Sequence, residues 1–349
     1  MDLSYPPALR DSLDRIGKAL ADISVRDETA ASGQPELWQT KPSRNGHATP
    51  AASPLAQVAE FRALGAYALP LPDLLARAGR GYLPLPGNAG GGAVALGWPD
   101  ASAPWHPGDP LTVELSAGRV YGVLSVAPFC VPVSGIVFLA QSGSDVVLVD
   151  LPSPAAFAVR VGPGEGQGEG TQRLGDAFSV RLEDTPADVL AEGPEALKAW
   201  DRAAEWERLA LLGLTAGLID RAWRIALDAV CEGKRQGHVL ADEQVAQFQL
   251  ADNDIDRLAS EHLVLDVAID AERGKPVKDK LAMVRYYTSK QAESCAARAL
   301  HLAQLFLPRL VPVARWLTLR AHHLSVFGLA REHEVRLAAA GLVAGMSLE

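Results

Sequence analysis

The chain of 349 residues is 48% hydrophobic and 21% charged, a globular balance with length enough for two or three domains, each with its own core. Its 33 Lys and Arg stand against 42 Asp and Glu, a net charge of −9 with no basic block, which argues against nucleic acid as a partner. No stretch is apolar for long enough to span a bilayer, and the start lacks the charged-then-apolar order of a secretory signal, so a cytoplasmic location is expected.

Leu9, Leu13, Ile16, Leu20 and Ile23 recur at helical spacing with charges between them, which predicts an amphipathic helix over 8–23. Residues 24–53, rich in Ser, Thr, Gly and Pro, read as a long loop. Helix returns at about 54–67 and again at 72–80, the latter with Pro72 where a missing N–H costs little. From Gly91 short runs of Val, Leu, Phe and Tyr alternate with Gly, Pro, Ser and Asp. They predict strands at 93–98, 111–115, 120–126, 135–140, 145–150, 156–161 and 177–182. The glycine-rich run 162–170 carries Glu where an anion would sit and precedes no helix, so it reads as a strand connector rather than a phosphate cradle. After a turn at Gly193-Pro194 the pattern is helical to the end, over about 195–232, 241–272, 277–306, 310–325 and 329–343, each helix with one apolar face. The expected fold is thus α+β and multidomain: N-terminal helices (1–90, with the loop 24–53), a small antiparallel β-barrel or sandwich (91–190) and an antiparallel helix bundle (195–349).

Cys130, Cys231 and Cys295 are odd in number and far apart, which supports neither disulfides nor a CxxC metal site; they read as core thiols. His301, His322, His323 and His333 cluster late in the chain, which raises a bundle metal or heme site, but neighbouring His322 and His323 point to different helix faces, and no metal site is expected. Glu207 and Arg208 stand just ahead of Leu209, Leu212, Ala216, Ile219, Trp223, Ala226 and Val230, an apolar stripe at steps of three and four. An acid there is either a solvated residue of an early turn or a desolvated catalytic base.

Several segments, in order, point to one family. Residues 171–190 look like a last strand and its turn into a bundle, Glu207-Arg208-Leu209 like the start of a first bundle helix, and Leu250-Ala251-Asp252 like a second. Ala282-Met283-Val284-Arg285 through Gln291-Ala292-Glu293 look like a third, with Pro312-Val313-Ala314-Arg315 and Phe327-Gly328 closing the series. The series resembles the acyl-CoA dehydrogenases over about 90–345 and, more faintly, 54–80. That resemblance implies a noncovalent FAD held between the β domain, the bundle and a neighbouring subunit, and an acyl-CoA substrate desaturated between its α and β carbons. It also implies a Glu that removes the α proton while hydride passes to the flavin. Most members carry this base in a Tyr-Glu-Gly turn, where this chain has Val326-Phe327-Gly328. A minority carry it at the start of the first bundle helix, immediately before an Arg. The resemblance therefore assigns Glu207 as base, with Arg208 positioning it or the thioester.

The family's Arg-x-x-Phe-Gly, which reaches a neighbour's flavin pyrophosphate, aligns with 233–237 and leaves Lys234 and Arg235 as point charges. Its Gln-Leu-His-Gly-Gly aligns with 301–305, where the glycines are gone and Gln304 is the polar residue. Of the six tryptophans weighed for stacking on a flavin, Trp98 stands where the family's β domain meets cofactor. The resemblance implies a homo-oligomer, dimer or tetramer. Loss of the glycine and arginine contacts raises the alternative of a catalytically reduced subunit that completes an FAD site with a fuller homologue.

Overall fold

The computed structural model describes residues 54–66, 93–99, 111–126, 133–152, 159–161, 178–235, 238–326 and 339. The helices expected at 8–23 and 72–80, the loop 24–53, the glycine run 162–170, Cys130 and Phe327 lie outside the described residues, as does 329–343 apart from helical Ala339. Among the described residues one compact unit holds 93–207 and a second holds 54–66 and 208–325.

The first unit is built on β1 (Ala93–Pro99), β2 (Val113–Ser116), β3 (Arg119–Val126), β4 (Val133–Ser142), β5 (Asp145–Pro152), β6 (Val159–Val161), β7 (Phe178–Pro186) and β8 (Asp188–Glu192). They form one sheet in the order β6-β7-β3-β1-β4-β5-β8, with β2 pairing both β3 and β4. Two-residue loops set the register of the β2–β3 and β4–β5 hairpins. The first needs left-handed backbone at Ala117 (φ 50°) and Gly118 (φ 73°) to match the strand twist. Two pairings depart from the antiparallel expectation: β1 and β2 both run parallel to β4, so the sheet is mixed. The reason is that β1 and β2 are two pieces of one row, inserted between β3 and β4 at opposite ends. Strand β8 falls where the sequence reads as a turn, because Asp188 and Glu192 bracket only three apolar residues; its antiparallel ladder with β5 supplies what the local pattern lacks.

Successive β4 residues from Ile136 to Ala140 are all buried, which requires cover on both faces. Val120, Leu124, Phe138, Val149, Leu151 and Leu182 form one layer. Val137, Leu139 and Leu148 face the other way, onto Ala196, Trp200, Ala203 and Ala204 of the following helix.

That helix, α2 (Gly193–Glu232), runs for 40 residues and carries the chain into the second unit. The second unit also holds α1 (Pro54–Gly65), the short pair β9 (Lys234–Arg235) and β10 (His238–Val239), α3 (Gln244–Glu272), α4 (Lys278–Phe306) and α5 (Val311–Val326). The expectation of one apolar stripe per helix fails for α2, which is buried all round from Trp206 to Ile219. Gly213 and Gly217 are the cause on one side. A Cβ on Gly217 would stand 1.9 Å from the Arg62 carbonyl oxygen, and one on Gly213 would stand 2.5 Å from that of Val58. The backbones of α1 and α2 therefore touch, as a small-xxx-small pair permits. Arg62 fixes this contact: its Nε donates to Asp220 (2.7 Å) and its Nη1 to Glu261 of α3 (2.6 Å). Burial pushes Glu261 toward its neutral form, but the hydrogen bond and charge of Arg62 more than offset this and hold the carboxyl below its ordinary range. The reading of the cysteines as core thiols holds for Cys295, which is buried, and fails for Cys231, which is exposed near the end of α2.

Candidate active site

Glu207 and Arg208 lie near the middle of α2, Glu207 as the last residue of the sheet-bearing unit and Arg208 as the first of the helical one. Pro194 at the start and Glu195 in the first turn suit a helix N-terminus, and Gly193 takes the positive φ (55°) that turns the chain from β8 into it. The Glu207 side chain is 6% exposed and that of Arg208 7%. This excludes the reading of Glu207 as a solvated residue of the first turns. Its helical neighbours at three and four positions, Ala203, Ala204, Ala210 and Leu211, are buried, and three of them are alanines. Short side chains on both sides keep the helix surface low around the carboxyl. A carboxylate so placed loses little further hydration when an apolar substrate covers it. Arg208 projects about 100° around the helix from Glu207. A guanidinium keeps its proton when buried, so Arg208 is a fixed positive charge one residue from the acid.

The other expected site residues divide between the units. Trp98 lies on β1, paired through Ser125 to β3; its side chain is outside the described residues. Lys234 and Arg235 form β9, in a small ladder with His238 and Val239 at the end of α2. The Lys234 side chain is exposed. Gly233, just before it, packs against the end of α4, where an added Cβ would stand 2.8 Å from the Phe306 Cβ. This brings the Lys234 corner to the same end of the helical unit as Gln304, which is exposed on α4 with His301 and Leu305. Arg309 and Glu232 pair there at 2.5 Å. The structure thus sets the end of α2, which Lys234 and Arg235 follow, beside the last turn of α4, which carries Gln304. A cation at this place also complements the negative end of the α2 dipole.

Among the described residues no group of three His, Cys, Asp or Glu side chains is placed to hold a metal ion. His322 instead lies 3.5 Å from Glu293 on the bundle surface. A cavity of about 360 Å³ in the helical unit, lined by Trp223, Val230, Cys231, Leu250, Ala251 and Asp254 among others, does not include Glu207. The seam of Gly213 and Gly217 is the feature that sequence reasoning missed; its signal was the Gly-x-x-x-Gly spacing within the apolar run of α2.

Residues 197–304 match the family model of the acyl-CoA dehydrogenase C-terminal domain. The segment begins ahead of Glu207 and ends at Gln304. A mixed sheet leading through one long helix into a helical unit, with that match inside it, decides the architecture. The chain has the acyl-CoA dehydrogenase fold. It is similar to the acyl-CoA dehydrogenase of Geobacillus kaustophilus, with a TM-score of 0.77 at 14% identity over 98% of this chain and 100% of that one. Butyryl-CoA dehydrogenase of Megasphaera elsdenii superposes at 0.70 and 13% identity over 98% and 100%. A chain of the ChsE4-ChsE5 complex of Mycobacterium tuberculosis superposes at 0.76 and 15% identity over 98% and 99%. At these identities the acyl-CoA dehydrogenase likeness establishes the fold. Among curated proteins none matches the chain in sequence.

Proposed function

We propose that this protein is a flavin-dependent acyl-CoA dehydrogenase in which Glu207 is the base, a reading carried by the burial of Glu207 on α2 inside the segment that matches the family's C-terminal domain. The reaction class asks for a carboxylate that takes a weakly acidic proton from the carbon beside a thioester carbonyl. Glu207, in its low and mostly apolar stretch of helix, suits a C–H acid of that kind. Arg208 holds a fixed positive charge beside it and positions the carboxylate or the thioester. When bound, FAD would supply the acceptor for the β hydride. Exposed Lys234, Arg235 next to it in sequence, and exposed Gln304 in the last turn of α4 beside the end of α2 suit the diphosphate of such a dinucleotide: cations to neutralise it and an amide to donate a hydrogen bond. Trp98 on β1 is the aromatic residue proposed for its ring system.

The test is absorbance. Purified protein reconstituted with FAD and mixed anaerobically with butyryl-CoA is expected to lose its flavin absorption. Glu207→Gln, equally loaded, is expected to lose it slower by a factor of about 10² to 10⁴, the usual worth of a positioned general base. Protein that takes up no FAD, or a Glu207→Gln variant that bleaches at the wild-type rate, contradicts the reading.

A second reading rests on a separate observation. Residues 301–305 continue as regular helix with Leu302 and Ala303 buried, and contain no glycine to admit a cofactor closely. This favours a subunit whose FAD site is completed by a homologous chain, as a heteromeric assembly. Flavin uptake by the isolated chain at one equivalent per subunit would decide against it.

A further inference from the structure

The cavity of about 360 Å³ in the helical unit is lined from the second half of α2 and the first half of α3, and its volume falls in the range of small-ligand sites. Its wall is mostly apolar, with Trp223 and Val230 from α2 and Leu250 from α3. An indole is the aromatic side chain that attracts cations most strongly. Trp223 already takes one: the guanidinium of Arg257 stands 4.8 Å from its ring centre.

Two polar side chains line the same cavity, and each keeps an unengaged acceptor. Asp254 receives both of its Arg257 bonds on Oδ1, from Nη2 at 2.7 Å and Nε at 2.9 Å, so its Oδ2 keeps its lone pairs. Gln247 donates from Nε2 to the Ala241 carbonyl at 2.7 Å, which fixes the amide and leaves Oε1 as an acceptor. Among the described residues no Lys or Arg lines the cavity to match them. From Leu240 to Glu272 the sequence holds a single Lys or Arg, Arg257, which is committed to Asp254, Glu261 and Trp223. At the Cys231 end, Arg309 is taken by Glu232. Asp242 and Glu243 follow the lining residue Ala241, Asp252 follows Ala251, and all three are exposed, so the surroundings are acidic.

We propose that this cavity binds a small primary amine in its ammonium form, with an aryl or short alkyl body against Trp223, Val230 and Leu250. Asp254 Oδ2 and Gln247 Oε1 receive its N–H groups, an ion pair reinforced by hydrogen bonds. An anion does not suit the site, since it would meet two acceptors and acidic surroundings without a free cation. A neutral molecule of the same shape gains the wall contacts alone. The proposal goes beyond the reading of Glu207 and is independent of it, since neither Glu207 nor any residue assigned to the flavin lines the cavity.

Cys231 also lines the cavity and is exposed, so its alkylation reports occupancy. The test treats the full chain with iodoacetamide at pH about 7.5 and follows the Cys231 peptide by mass spectrometry. Three probes share one aryl body: phenethylamine, phenethyl alcohol and hydrocinnamate. Phenethylamine, charged at this pH, is expected to slow the alkylation saturably, at a concentration about tenfold or more below that needed of the alcohol, and hydrocinnamate to leave the rate unchanged. Asp254→Asn, which keeps the shape and an acceptor for Arg257, is expected to lose the preference for the amine, with continued sparing of the Cys295 peptide showing that the variant is folded. The comparison of probes on wild type stands without the variant. No protection by phenethylamine, equal protection by the alcohol, or an undiminished preference in folded Asp254→Asn overturns the proposal. So does protection that grows with protein concentration in the absence of any probe, which would make a second copy of the chain the occupant.

Discussion

At the residue scale the decisive feature is a carboxylate that sequence alone leaves open between two readings. The pattern around Glu207 shows an acid ahead of an apolar stripe, but a stripe occupies one face, and an acid off that face is ordinarily solvated. What the pattern cannot show is that α2 is buried without a break from Trp206 to Ile219, a property of the packing around it. The cysteines follow the same logic. Cys295 is fully buried, and burial pushes its thiol up to about 11, so it is protonated and shielded at neutral pH; Cys231 is exposed. Iodoacetamide at pH about 8 is expected to modify the peptide bearing Cys231 and to spare the one bearing Cys295 until the protein unfolds, as peptide mass spectrometry can read. Asp270 gives a pH prediction. Hydrogen bonds from Lys275 and Lys280 hold its carboxyl down at about 2 from an ordinary 3.8. A depressed carboxylate contributes stability above its unfolded value, and the contribution disappears as pH falls from about 4 toward 2. Carbonyl-carbon NMR is expected to find Asp270 still ionised at pH about 3, and Lys280→Met is expected to raise its titration.

At the element scale, helix existence and extent were largely legible among the described residues. The helix ends expected at 232, 272 and 306 are where α2, α3 and α4 end, ahead of Gly233, of Gly274 with its positive φ (70°) and Pro276, and of Pro308. Strand β8 was not legible, since its register comes from β5 and not from its own alternation. Nor was the close approach of α1 to α2, although its glycines were in view. That contact makes a signed prediction. On an open helix face Gly→Ala stabilises by about 1 kcal/mol through propensity. Gly217→Ala is instead expected to destabilise by roughly 1–3 kcal/mol, because its Cβ meets the α1 backbone at 1.9 Å and the helices must part. Urea denaturation monitored by circular dichroism reads the sign directly. Arg62→Ala, which leaves half-buried Asp220 and Glu261 only their longer contacts with Arg257 (3.9 and 3.4 Å), is expected to cost about 2 kcal/mol in the same assay, and a loss below about 0.5 kcal/mol would assign the network to the solvent-screened surface class.

At the scale of the whole molecule, the order of elements carried more information than any one motif. The strand-rich stretch and the helical half after it were legible from composition shifts and turn residues, and the structure confirms the α+β architecture with a mixed sheet in place of an antiparallel one. The site was less legible, because its expected residues are spread from Trp98 to Gln304, and no local pattern reports which of them the fold gathers. The structure sets the end of α2, with Lys234 and Arg235 after it, beside the last turn of α4 that carries Gln304, and buries Glu207 and Arg208 on α2; the chemistry proposed for them turns on Glu207. Its most direct test is proton exchange. An acyl-CoA with sulfur in place of its β carbon can give up an α proton but has no β hydride to lose. With that ligand deuterated at the α carbon, FAD-loaded wild-type protein is expected to wash the label into water, and equally loaded Glu207→Gln to do so about 10² to 10⁴ times more slowly. Washout by Glu207→Gln at the wild-type rate would contradict the assignment of Glu207 as the base.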